Sequence, residues 1–449
     1  MARLFGTDGV RGIANTELSC ELALNIGRAA AYVLTRKSSH KAKILIGKDT
    51  RASSDMLENA LAAGICSVGA DALIVGVIPT PAVAYLVKLY KADAGIVISA
   101  SHNPVEFNGI KIFNSKGYKL ADEIEDEIEV YVKDRNAEME RKTHGDVGSV
   151  SYCTTAVRDY ADNIISHIDG DLKGVKVAID CANGAASEPA KLIFKELGAE
   201  CFFTANEPDG RNVNDGVGST HLDNLRKAVK KAGAAIGVAF DGDADRCLAV
   251  DENGEEIDGD KIIAIFAKFL KAKGKLKKDT AVVTVMTNLG FMDYCKKYGV
   301  NAIRTAVGDR YVLEEMLKNG YCLGGEQSGH ILLSDYGTTG DGEMTAALLL
   351  SILKESGAKA SELGTEVEKY PQTLINVKTT VEGKQKFKED DELQGQIEAA
   401  QQELFDTGRV LVRVSGTEPL IRIMVEGKDE ALINKVAKKL ETKINERIN

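Results

Sequence analysis

The chain has 449 residues, more than one ordinary hydrophobic core can organise, so we expect two to four domains. Its 44% hydrophobic and 28% charged residues are typical of a globular protein and argue against disorder. The formal net charge of −10 disfavours a protein that wraps nucleic acid, although a local basic cleft stays compatible with it.

Targeting signals are not evident in the sequence. No stretch approaches the ~20 consecutive apolar residues of a membrane helix, so we predict no membrane span. The run MARLFGTDGVRG lacks a long apolar core after its basic residue, so we expect no secretory signal. The 8 cysteines show neither a CxxC pair nor zinc spacing. We therefore predict reduced core thiols and a cytoplasmic location.

Strand-like apolar runs alternate with segments of helical spacing along most of the chain. The apolar runs end in polar residues, as in AKILIGKDTR, GIVISASHNP, GVKVAIDCANG, AAIGVAFDGDADR and TAVVTVMTNLG. Helical spacing is found between them, as in SSDMLENALAAGICSVGA and EPAKLIFKELGA. This alternation predicts α/β domains with mixed, largely parallel sheets. Ligands of such sheets bind beyond the carboxyl ends of strands, where the polar clusters of this chain fall.

Polar, irregular segments mark the predicted domain junctions, and they divide the chain into residues 1–153, 154–254, 255–367 and 368–449. The last part has a different character, since its pattern predicts a strand, a helix, two strands and a helix. On that last helix, one apolar stripe is formed by Leu432, Val436, Leu440 and Ile444. We therefore predict a smaller α+β domain at the C-terminal end.

The strongest local signal is FDGDADR, which directly follows the apolar run AAIGVAF. Asp241, Asp243 and Asp245 alternate here, and carboxylates this close repel one another unless a cation compensates them. Oxygen ligands suit Mg²⁺ or Ca²⁺, whereas the alternative is a solvated acidic turn. An EF-hand is disfavoured because Arg246 stands where that loop requires glycine. An arginine beside a cation indicates an anion between them, and phosphate is suited to that place.

A second cluster, SASHNPVEFNGIK, brings Ser101, His102 and Lys111 to one strand end. Serine is a weak nucleophile unless a base or a metal assists it. The alternative is an ordinary turn in which His102 hydrogen-bonds to the backbone. The acidic loop elsewhere at a strand end favours phosphoryl chemistry.

Three further clusters carry groups suited to sugar phosphates. RVSGTEPLIR offers guanidinium forks and hydroxyls for a phosphate, GGEQSGH offers partners for sugar hydroxyls, and GTDGVRG carries an arginine between glycines. Their candidate residues are Arg413, Ser415, Gly416, Thr417 and Arg422, then Glu326, Ser328 and His330, then Arg11. Singly, each cluster is also compatible with an ordinary hairpin or loop. Neither a Walker pattern nor a dinucleotide fingerprint occurs.

Taken together and in this order, GTDGVRG, SASHNP, DGDADR, GGEQSGH and RVSGTEP resemble the α-D-phosphohexomutase family over the whole chain. Within the family, GGEQSGHI, TVMTNLG and TAVGDRYV are similar to the branch that acts on glucosamine phosphate. The chain departs from the family at Ala244 and Val414, where many members have glycine and proline. Neither departure removes a functional side chain.

The resemblance implies three α/β domains of related topology and a smaller α+β domain around a central cleft. It implies an isomerase, working as an intramolecular phosphotransferase, that interconverts glucosamine 6-phosphate and glucosamine 1-phosphate. Phosphorylated Ser101 would donate its phosphoryl group, with glucosamine 1,6-bisphosphate as intermediate and activator. Sugar phosphates would be its small-molecule partners, and two copies would form a homodimer through the first domain. The product would feed the synthesis of UDP-N-acetylglucosamine and the cell wall.

The resemblance also implies a role for each candidate residue. One Mg²⁺ per chain would be bound by Ser101, Asp241, Asp243 and Asp245. Three cations would stabilise the transferring group or assist proton transfer, namely Arg11, Lys111 and Arg246. Lys111 is a base only if neighbouring cations lower its pKa. His102 would orient Ser101, and His330 would be a second acid–base group.

The remaining candidates would hold the substrate. Glu326 and Ser328 would bind sugar hydroxyls in either orientation of the sugar. The phosphate that does not react would be bound by Arg413, Ser415, Gly416, Thr417 and Arg422.

Three alternatives stay open at this point. The nearest is the same chemistry on mannose or glucose phosphates. A metal-dependent phosphatase would release inorganic phosphate and would have no use for a second phosphate site at Arg413. A non-catalytic sensor of sugar phosphates would tolerate the loss of Ser101.

Overall fold

The structure is a computed structural model that describes residues 3–6, 8–36, 38–415 and 419–448. The chain forms two compact units. The first comprises Met1–Met286 and Val300–Thr365, and the second comprises Thr287–Gly299 and Glu366–Asn449. None of the helices in the described ranges is both long and apolar enough to cross a membrane.

The first sheet of the first unit is built by the N-terminal part of the chain. Its strands are β1 (Val10–Ile13), β2 (Lys43–Lys48), β3 (Asp71–Val77), β4 (Ala94–Ile98), β5 (Phe107–Asn114) and β6 (Val150–Tyr152). Its helices are α1 (Cys20–Thr35), α2 (Ala52–Ser67), α3 (Thr80–Leu89) and α4 (Asp122–Lys133). The strand order is β1-β5-β4-β2-β3-β6. The β2–β4, β2–β3 and β3–β6 pairs are parallel, whereas β5 runs antiparallel to β4 and β1.

The second sheet follows in the chain. Its strands are β7 (Lys176–Asp180), β8 (Glu200–Thr204), β9 (Ile236–Phe240), β10 (Cys247–Asp251) and β11 (Glu256–Ile257). Its helices are α5 (Ala156–Ser166), α6 (Pro189–Glu196) and α7 (Asp223–Ala232). The order is β11-β10-β9-β7-β8, with β7 parallel to β8 and β9 and with antiparallel pairing from β9 to β11.

The third sheet completes the first unit. Its strands are β12 (Thr280–Thr284), β13 (Asn301–Thr305), β14 (Leu323–Gly325) and β15 (Ile331–Leu333). Its helices are α8 (Gly259–Ala272), α10 (Asp309–Asn319), α11 (Gly342–Ser356) and α12 (Ala360–Gly364). The order is β13-β12-β14-β15, and β12 is parallel to both β13 and β14. The parallel pairs place the carboxyl ends of neighbouring strands at one edge of each sheet.

The second unit contains an antiparallel sheet in the order β16-β18-β17. Its strands are β16 (Gln372–Lys378), β17 (Gly408–Val414) and β18 (Leu420–Gly427). Its helices are α9 (Leu289–Tyr298), α13 (Val381–Glu389), α14 (Asp391–Glu403) and α15 (Glu430–Ile448). The predicted fold class, with mixed and largely parallel α/β sheets and a smaller α+β part, is confirmed.

The C-terminal part differs from the prediction in one element. We expected one helix between its first two strands, but the structure has two, α13 and α14. The break falls at Asp390, which leaves helical geometry and caps α14 by accepting the N–H of Leu393 at 2.9 Å. Along α15, Val436, Leu440 and Ile444 are buried as the apolar stripe predicts.

Close helix packing explains two glycines of the first core. A β-carbon at Gly27 would lie 2.5 Å from the carbonyl oxygen of Leu61, and one at Gly64 would lie 2.1 Å from that of Leu24. Helices α1 and α2 therefore approach backbone to backbone and cover one side of the sheet that carries β4.

Candidate active site

Two loops that the sequence singled out meet in the first unit. Ser101 follows strand β4, and the acidic loop begins at Asp241, directly after strand β9. The hydroxyl of Ser101 donates a hydrogen bond to Asp241 Oδ2 at 2.6 Å. The residues are 140 positions apart in the chain, so the ends of two different sheets form the core of the site.

The backbone of Ser101 is strained. Its φ of 55° lies in the left-handed region, which costs a non-glycine residue on the order of 1–3 kcal/mol and is common at functional sites. Nδ1 of His102 lies 3.4 Å from Ser101 Oγ. Burial, with the positive charges of Arg246 and Arg11, lowers the pKa of His102 to about 4, so its imidazole is neutral near pH 7.

The acidic loop forms a buried cluster of carboxylates. Ligand oxygens of Asp241, Asp243 and Asp245 lie within 4.8 Å of one another. Burial and the two other carboxylates raise the pKa of Asp241 to about 8. Oδ1 of Asp243 and Oδ1 of Asp245 accept no hydrogen bond from any residue that the structure describes. Converging buried carboxylates with unused oxygens fit a hard cation such as Mg²⁺.

The departure from the family at residue 244 now has a physical account. Ala244 adopts a φ of 55°, where an alanine is strained and a glycine is not. The turn itself is kept, because the N–H of Ala244 donates to the carbonyl of Asp241 at 3.0 Å. An alanine at this position therefore costs more strain than a glycine would.

Lys111 lies among carboxylates rather than among cations. Its Nζ is 2.9 Å from Asp243 Oδ2, 3.0 Å from Asp8 Oδ2 and 3.4 Å from Asp245 Oδ2. Burial lowers the pKa of Lys111, but the three carboxylates outweigh it and hold that pKa well above its ordinary value. The role of Lys111, as a cation beside the transferring group or in proton transfer, stays a prediction.

Two arginines border the same cluster. The backbone N–H of Arg246 donates to Asp241 Oδ1 at 3.3 Å, and its Nε lies 3.9 Å from Asp245 Oδ1. Arg11, on strand β1, donates to Asp8 Oδ2 at 2.5 Å. These contacts place the predicted cations of the first unit around the acidic loop.

His330 is held between two carboxylates. Its Nδ1 lies 3.7 Å from Asp245 Oδ2, and its Nε2 lies 3.5 Å from Asp309 Oδ2. The N–H of Gly340 donates to Nε2 at 3.2 Å, so the neutral ring keeps its proton on Nδ1, towards Asp245. Burial lowers the pKa of His330, and Asp245 and Asp309 more than reverse that effect.

The GGEQSGH loop is hydrogen-bonded to strand β10, which follows the acidic loop. The carbonyl of Gly329 accepts the N–H of Cys247 at 2.9 Å, and a β-carbon at Gly329 would lie 2.4 Å from the carbonyl oxygen of Cys247. Glu326 Oε1 accepts the N–H of Gly308 at 3.1 Å, and Ser328 is exposed. The loop thus presents one carboxylate held by backbone and one open hydroxyl.

The predicted phosphate-binding residues lie in the second unit. Arg413 on β17 is directly opposite Arg422 on β18, and Lys384 Nζ donates to the carbonyl of Ser415 at 2.7 Å. Gly416 and Thr417 lie outside the described residues. Burial, then the charge of Arg422, lowers the pKa of Arg413. Like charges paired across strands destabilise a sheet, so an anion bound between them would relieve the repulsion.

Several residues of the site were missed by sequence reasoning. Thr80 Oγ1 donates to Asp243 Oδ2 at 2.6 Å, and Lys119 Nζ joins Asp8 Oδ1 at 2.6 Å to Asp309 Oδ2 at 2.7 Å. Asp8 could have been found from the sequence, because it is the acidic residue of the GTDGVRG motif. Thr80 and Lys119 carry no local signal, because only the tertiary fold brings them to the site.

Comparison with known proteins identifies the family of the chain. Models of the phosphoglucomutase/phosphomannomutase family match four segments of the chain in order. They are α/β/α domain I at residues 2–139, α/β/α domain II at 158–254, α/β/α domain III at 258–370 and the C-terminal domain at 374–443. The chain belongs to this family and is a phosphohexomutase, an isomerase, so the resemblance seen in the sequence is confirmed.

Individual relatives extend this result. The phosphoglucosamine mutase of a Thermoanaerobacter species is 56% identical over 449 residues, which cover 100% of both chains. A solved phosphoglucomutase/phosphomannomutase family protein from Burkholderia thailandensis superposes with a TM-score of 0.83 at 24% identity, over 100% of this chain and 99% of that one. The Aspergillus fumigatus N-acetylphosphoglucosamine mutase, solved with GlcNAc-6P and magnesium, gives 0.71 at 16% identity, over 99% and 96%. Because the sequence identities to these two solved structures are low, the matches show a shared fold only.

Proposed function

We propose that this chain interconverts glucosamine 6-phosphate and glucosamine 1-phosphate through phosphorylated Ser101 and glucosamine 1,6-bisphosphate. The observation that carries the proposal is the strained Ser101, whose hydroxyl lies 2.6 Å from Asp241 in a buried cluster of three carboxylates. The amino sugar is supported by the 56% identity to a phosphoglucosamine mutase.

The reaction consists of two phosphoryl transfers in opposite directions. In the first, the bond between phosphorus and Ser101 Oγ breaks as a bond to the sugar's 1-hydroxyl oxygen forms. The hydroxyl proton leaves to a base, and Ser101 Oγ takes up a proton. After the bisphosphate turns around, Ser101 Oγ attacks the 6-phosphoryl group and loses its proton, while the 6-oxygen gains one. Glucosamine 1-phosphate leaves, and phosphoserine is restored without net consumption of phosphate.

The acidic loop and the cations serve the transfer. Asp241, Asp243 and Asp245, with an oxygen on Ser101, would hold Mg²⁺, which neutralises charge on the transferring phosphoryl group when bound. Lys111 acts as a cation beside Asp243 and Asp245.

The remaining groups of the first unit assist the transfer as well. Arg11 and Arg246 add positive charge for the transferring phosphoryl group. The neutral imidazole of His102 orients the Ser101 hydroxyl. We assign proton transfer to His330, whose ring is held between the carboxylates of Asp245 and Asp309.

Substrate positioning is assigned to two further sets of residues. Glu326 and Ser328 bind sugar hydroxyls in either orientation. The phosphate that does not react is bound by Arg413, Ser415, Gly416, Thr417 and Arg422, and Lys384 adds a cation beside Ser415. A mutase needs this second phosphate site because one end of the bisphosphate must be held while the other reacts.

The cellular setting is part of the same proposal. The enzyme acts in the cytoplasm on the route to UDP-N-acetylglucosamine and the cell wall, and it forms a homodimer through the part of the chain at residues 1–153. Glucosamine 1,6-bisphosphate serves as activator as well as intermediate.

One comparison of substrates tests the proposal. Purified enzyme, phosphorylated at Ser101 as verified by peptide mapping, is assayed with glucosamine 6-phosphate, glucose 6-phosphate and mannose 6-phosphate. We expect the highest kcat/KM with the glucosamine ester and no stoichiometric release of inorganic phosphate. Preference for another hexose would overturn the assigned substrate, and release of phosphate with every turnover would indicate a phosphatase.

A further inference from the structure

The backbone of the Ser101 loop is held by two side chains outside the reacting groups, Arg51 and Asn214. Arg51 donates to the carbonyl oxygens of Ser101 at 3.0 Å, Asn103 at 2.9 Å and Pro104 at 2.5 Å. The amide of Asn214 donates to the same oxygens of Ser101 at 2.9 Å and Asn103 at 3.1 Å. Each of these two carbonyls therefore accepts from both side chains.

Asp49 links Arg51 to the backbone N–H of Ser101 through Ser99. Its Oδ2 accepts from Arg51 Nε at 2.8 Å and from the Ser99 hydroxyl at 2.6 Å, and both charged side chains are 0% exposed. Ser99 Oγ in turn accepts the N–H of Ser101 at 2.9 Å. Both backbone polar groups of Ser101 are thus fixed through one buried ion pair.

Such a network has little value for stability alone. Desolvating a buried ion pair costs several kcal/mol, and the pair is retained where its hydrogen bonds specify a structure. Here those bonds fall on the one loop whose serine has a φ of 55°. A left-handed serine relaxes unless its surroundings hold it, and relaxation would turn Oγ away from Asp241.

We infer that Arg51, anchored by Asp49 and assisted by Asn214, is a positioning residue that keeps Ser101 in its strained conformation for phosphoryl transfer. The inference rests on the proposed function, since it needs Ser101 as the group that carries phosphate. Arg51 is 2% exposed and donates to protein atoms, so it acts through the loop and not on the sugar phosphate. Its loss therefore lowers the rate of transfer and leaves substrate binding nearly unchanged.

The test compares Arg51→Met and Arg51→Lys with wild type. Each enzyme is phosphorylated at Ser101 and mixed with glucosamine 6-phosphate, and loss of phosphate from the Ser101 peptide is followed by rapid quench and mass spectrometry. The phosphate on Ser101 carries an oxygen-isotope label and the substrate phosphate does not, so loss of the label reports the first transfer although phosphoserine is restored in each turnover. We expect the single-turnover rate to fall on the order of 10²-fold in Arg51→Met, because small misplacements of a reacting atom have effects of that size. Arg51→Lys keeps a donor and should lie in between, and KM should change less than about threefold in both.

A matched control separates positioning from stability. Arg28 is another buried arginine of the first unit, 9% exposed, which donates to Ser67, Asn25 and Asn136 instead of the Ser101 loop. Arg28→Met should lower the Tm while keeping the wild-type rate of transfer. Equal losses of rate in Arg28→Met and Arg51→Met would show that stability explains both, and the inference would be wrong.

A second variant decides the matter if Arg51→Met does not fold. Asn214 has a φ of 57°, which glycine adopts without strain. Asn214→Gly therefore removes the side-chain amide without straining the backbone. We expect a roughly tenfold slower transfer with unchanged KM, as one of two donors is lost. Wild-type rates in every folded variant, with an inactive Ser101→Ala, would overturn the positioning role alone. Wild-type turnover in Ser101→Ala would instead overturn the proposed function.

Discussion

The Ser101 site of the first unit and the arginine pair of the second both concentrate charge, but they balance it differently. At the Ser101 site, Lys111 lies 2.9 Å from Asp243 and 3.0 Å from Asp8, and each of these side chains is mostly withdrawn from water. In the second unit, Arg413 faces Arg422 across two strands, and both are half-buried. One region pairs opposite charges within the protein, whereas the other places like charges side by side.

This difference in charge pairing distinguishes a catalytic site from a substrate-binding site. Internally paired charges hold a fixed geometry for a reaction, because each group is oriented before the substrate arrives. Two arginines on neighbouring strands offer positive charge and hydrogen-bond donors to a phosphate, so they suit binding. Changes at the Ser101 site should therefore lower kcat, and changes at the arginine pair should mainly raise KM.

The largest effect is expected at the nucleophile. Ser101→Ala should lose nearly all mutase turnover, because covalent transfer has no route without the hydroxyl. The change removes one oxygen, so circular dichroism and the Tm should stay close to wild type. A coupled assay of glucosamine 1-phosphate formation and the intact mass measure the result, and the variant should carry no phosphate at this loop. Turnover like that of wild type would refute the assignment of Ser101.

The acidic loop should give the next largest effect. Asp243→Asn removes one carboxylate charge from the cluster and should lower kcat about 10²-fold, with weaker Mg²⁺ binding by calorimetry.

Asp180 provides the matched control for that variant, since it is also fully buried at a strand end and accepts the N–H groups of Ala182 and Gly218. Asp180→Asn should change stability while Mg²⁺ affinity stays at the wild-type value. Equal Mg²⁺ affinity in Asp243→Asn and wild type would exclude Asp243 as a ligand.

The arginine pair should show the opposite kinetic signature. Arg413→Ala should raise KM for glucosamine 6-phosphate by roughly ten- to a hundredfold, because charged hydrogen bonds to a phosphate contribute about 1.5–3 kcal/mol. The bisphosphate should also escape more often during single turnovers of phosphorylated enzyme.

Arg409 lies on the same strand but is paired with Glu426 at 2.7 Å. Arg409→Ala should therefore lower the Tm of the enzyme and leave KM near the wild-type value. If Arg413→Ala behaves like Arg409→Ala, the hairpin is a structural element only and the contrast between the two regions fails.

One further expected effect concerns the pH dependence of stability and not catalysis. Burial raises the pKa of Asp341 from its ordinary 3.8 to about 6. The folded state therefore favours the protonated acid, and this stabilisation is full below pH 3.8 and lost as the pH rises through about 6. Asp341→Asn should gain stability relative to wild type between pH 4 and pH 7, by roughly 3 kcal/mol, as read from unfolding at several pH values.

Asp390, in the second unit, is the N-cap of α14, as Asp341 is the N-cap of α11. The pKa of Asp390 is lowered, first by its hydrogen bond with Arg447. Its stabilising contribution is present above its ordinary pKa and is lost as the pH falls, so Asp390→Asn should lose stability at neutral pH. The two variants should thus shift in opposite directions. If the stability of both variants changes in the same direction, burial does not control the pKa of Asp341.

Much of the site was predictable because its residues follow apolar runs in the chain. The strand pattern of AAIGVAF places Asp241 at a strand end, and that of GIVIS places Ser101 at another. Alternation of strands and helices then predicts that such ends carry the ligand site. The predicted bounds of the four domains and the roles of the site residues stay predictions. The prediction of one helix between β16 and β17 was wrong, because the N-cap at Asp390 divides that segment into two helices.

The fold class, the family and the strand ends that carry Ser101 and Asp241 were therefore predictable from the sequence, since these depend on periodicity and on short motifs. The carboxylates around Lys111 and the partners of the Ser101 loop depend on the tertiary fold. Lys119 reaches Asp309 across 190 positions of the chain, and Arg51 reaches the Ser101 carbonyl across 50. A pKa and a hydrogen bond depend on distance in space, and no local pattern encodes which distant carboxylate or carbonyl will lie within 3 Å.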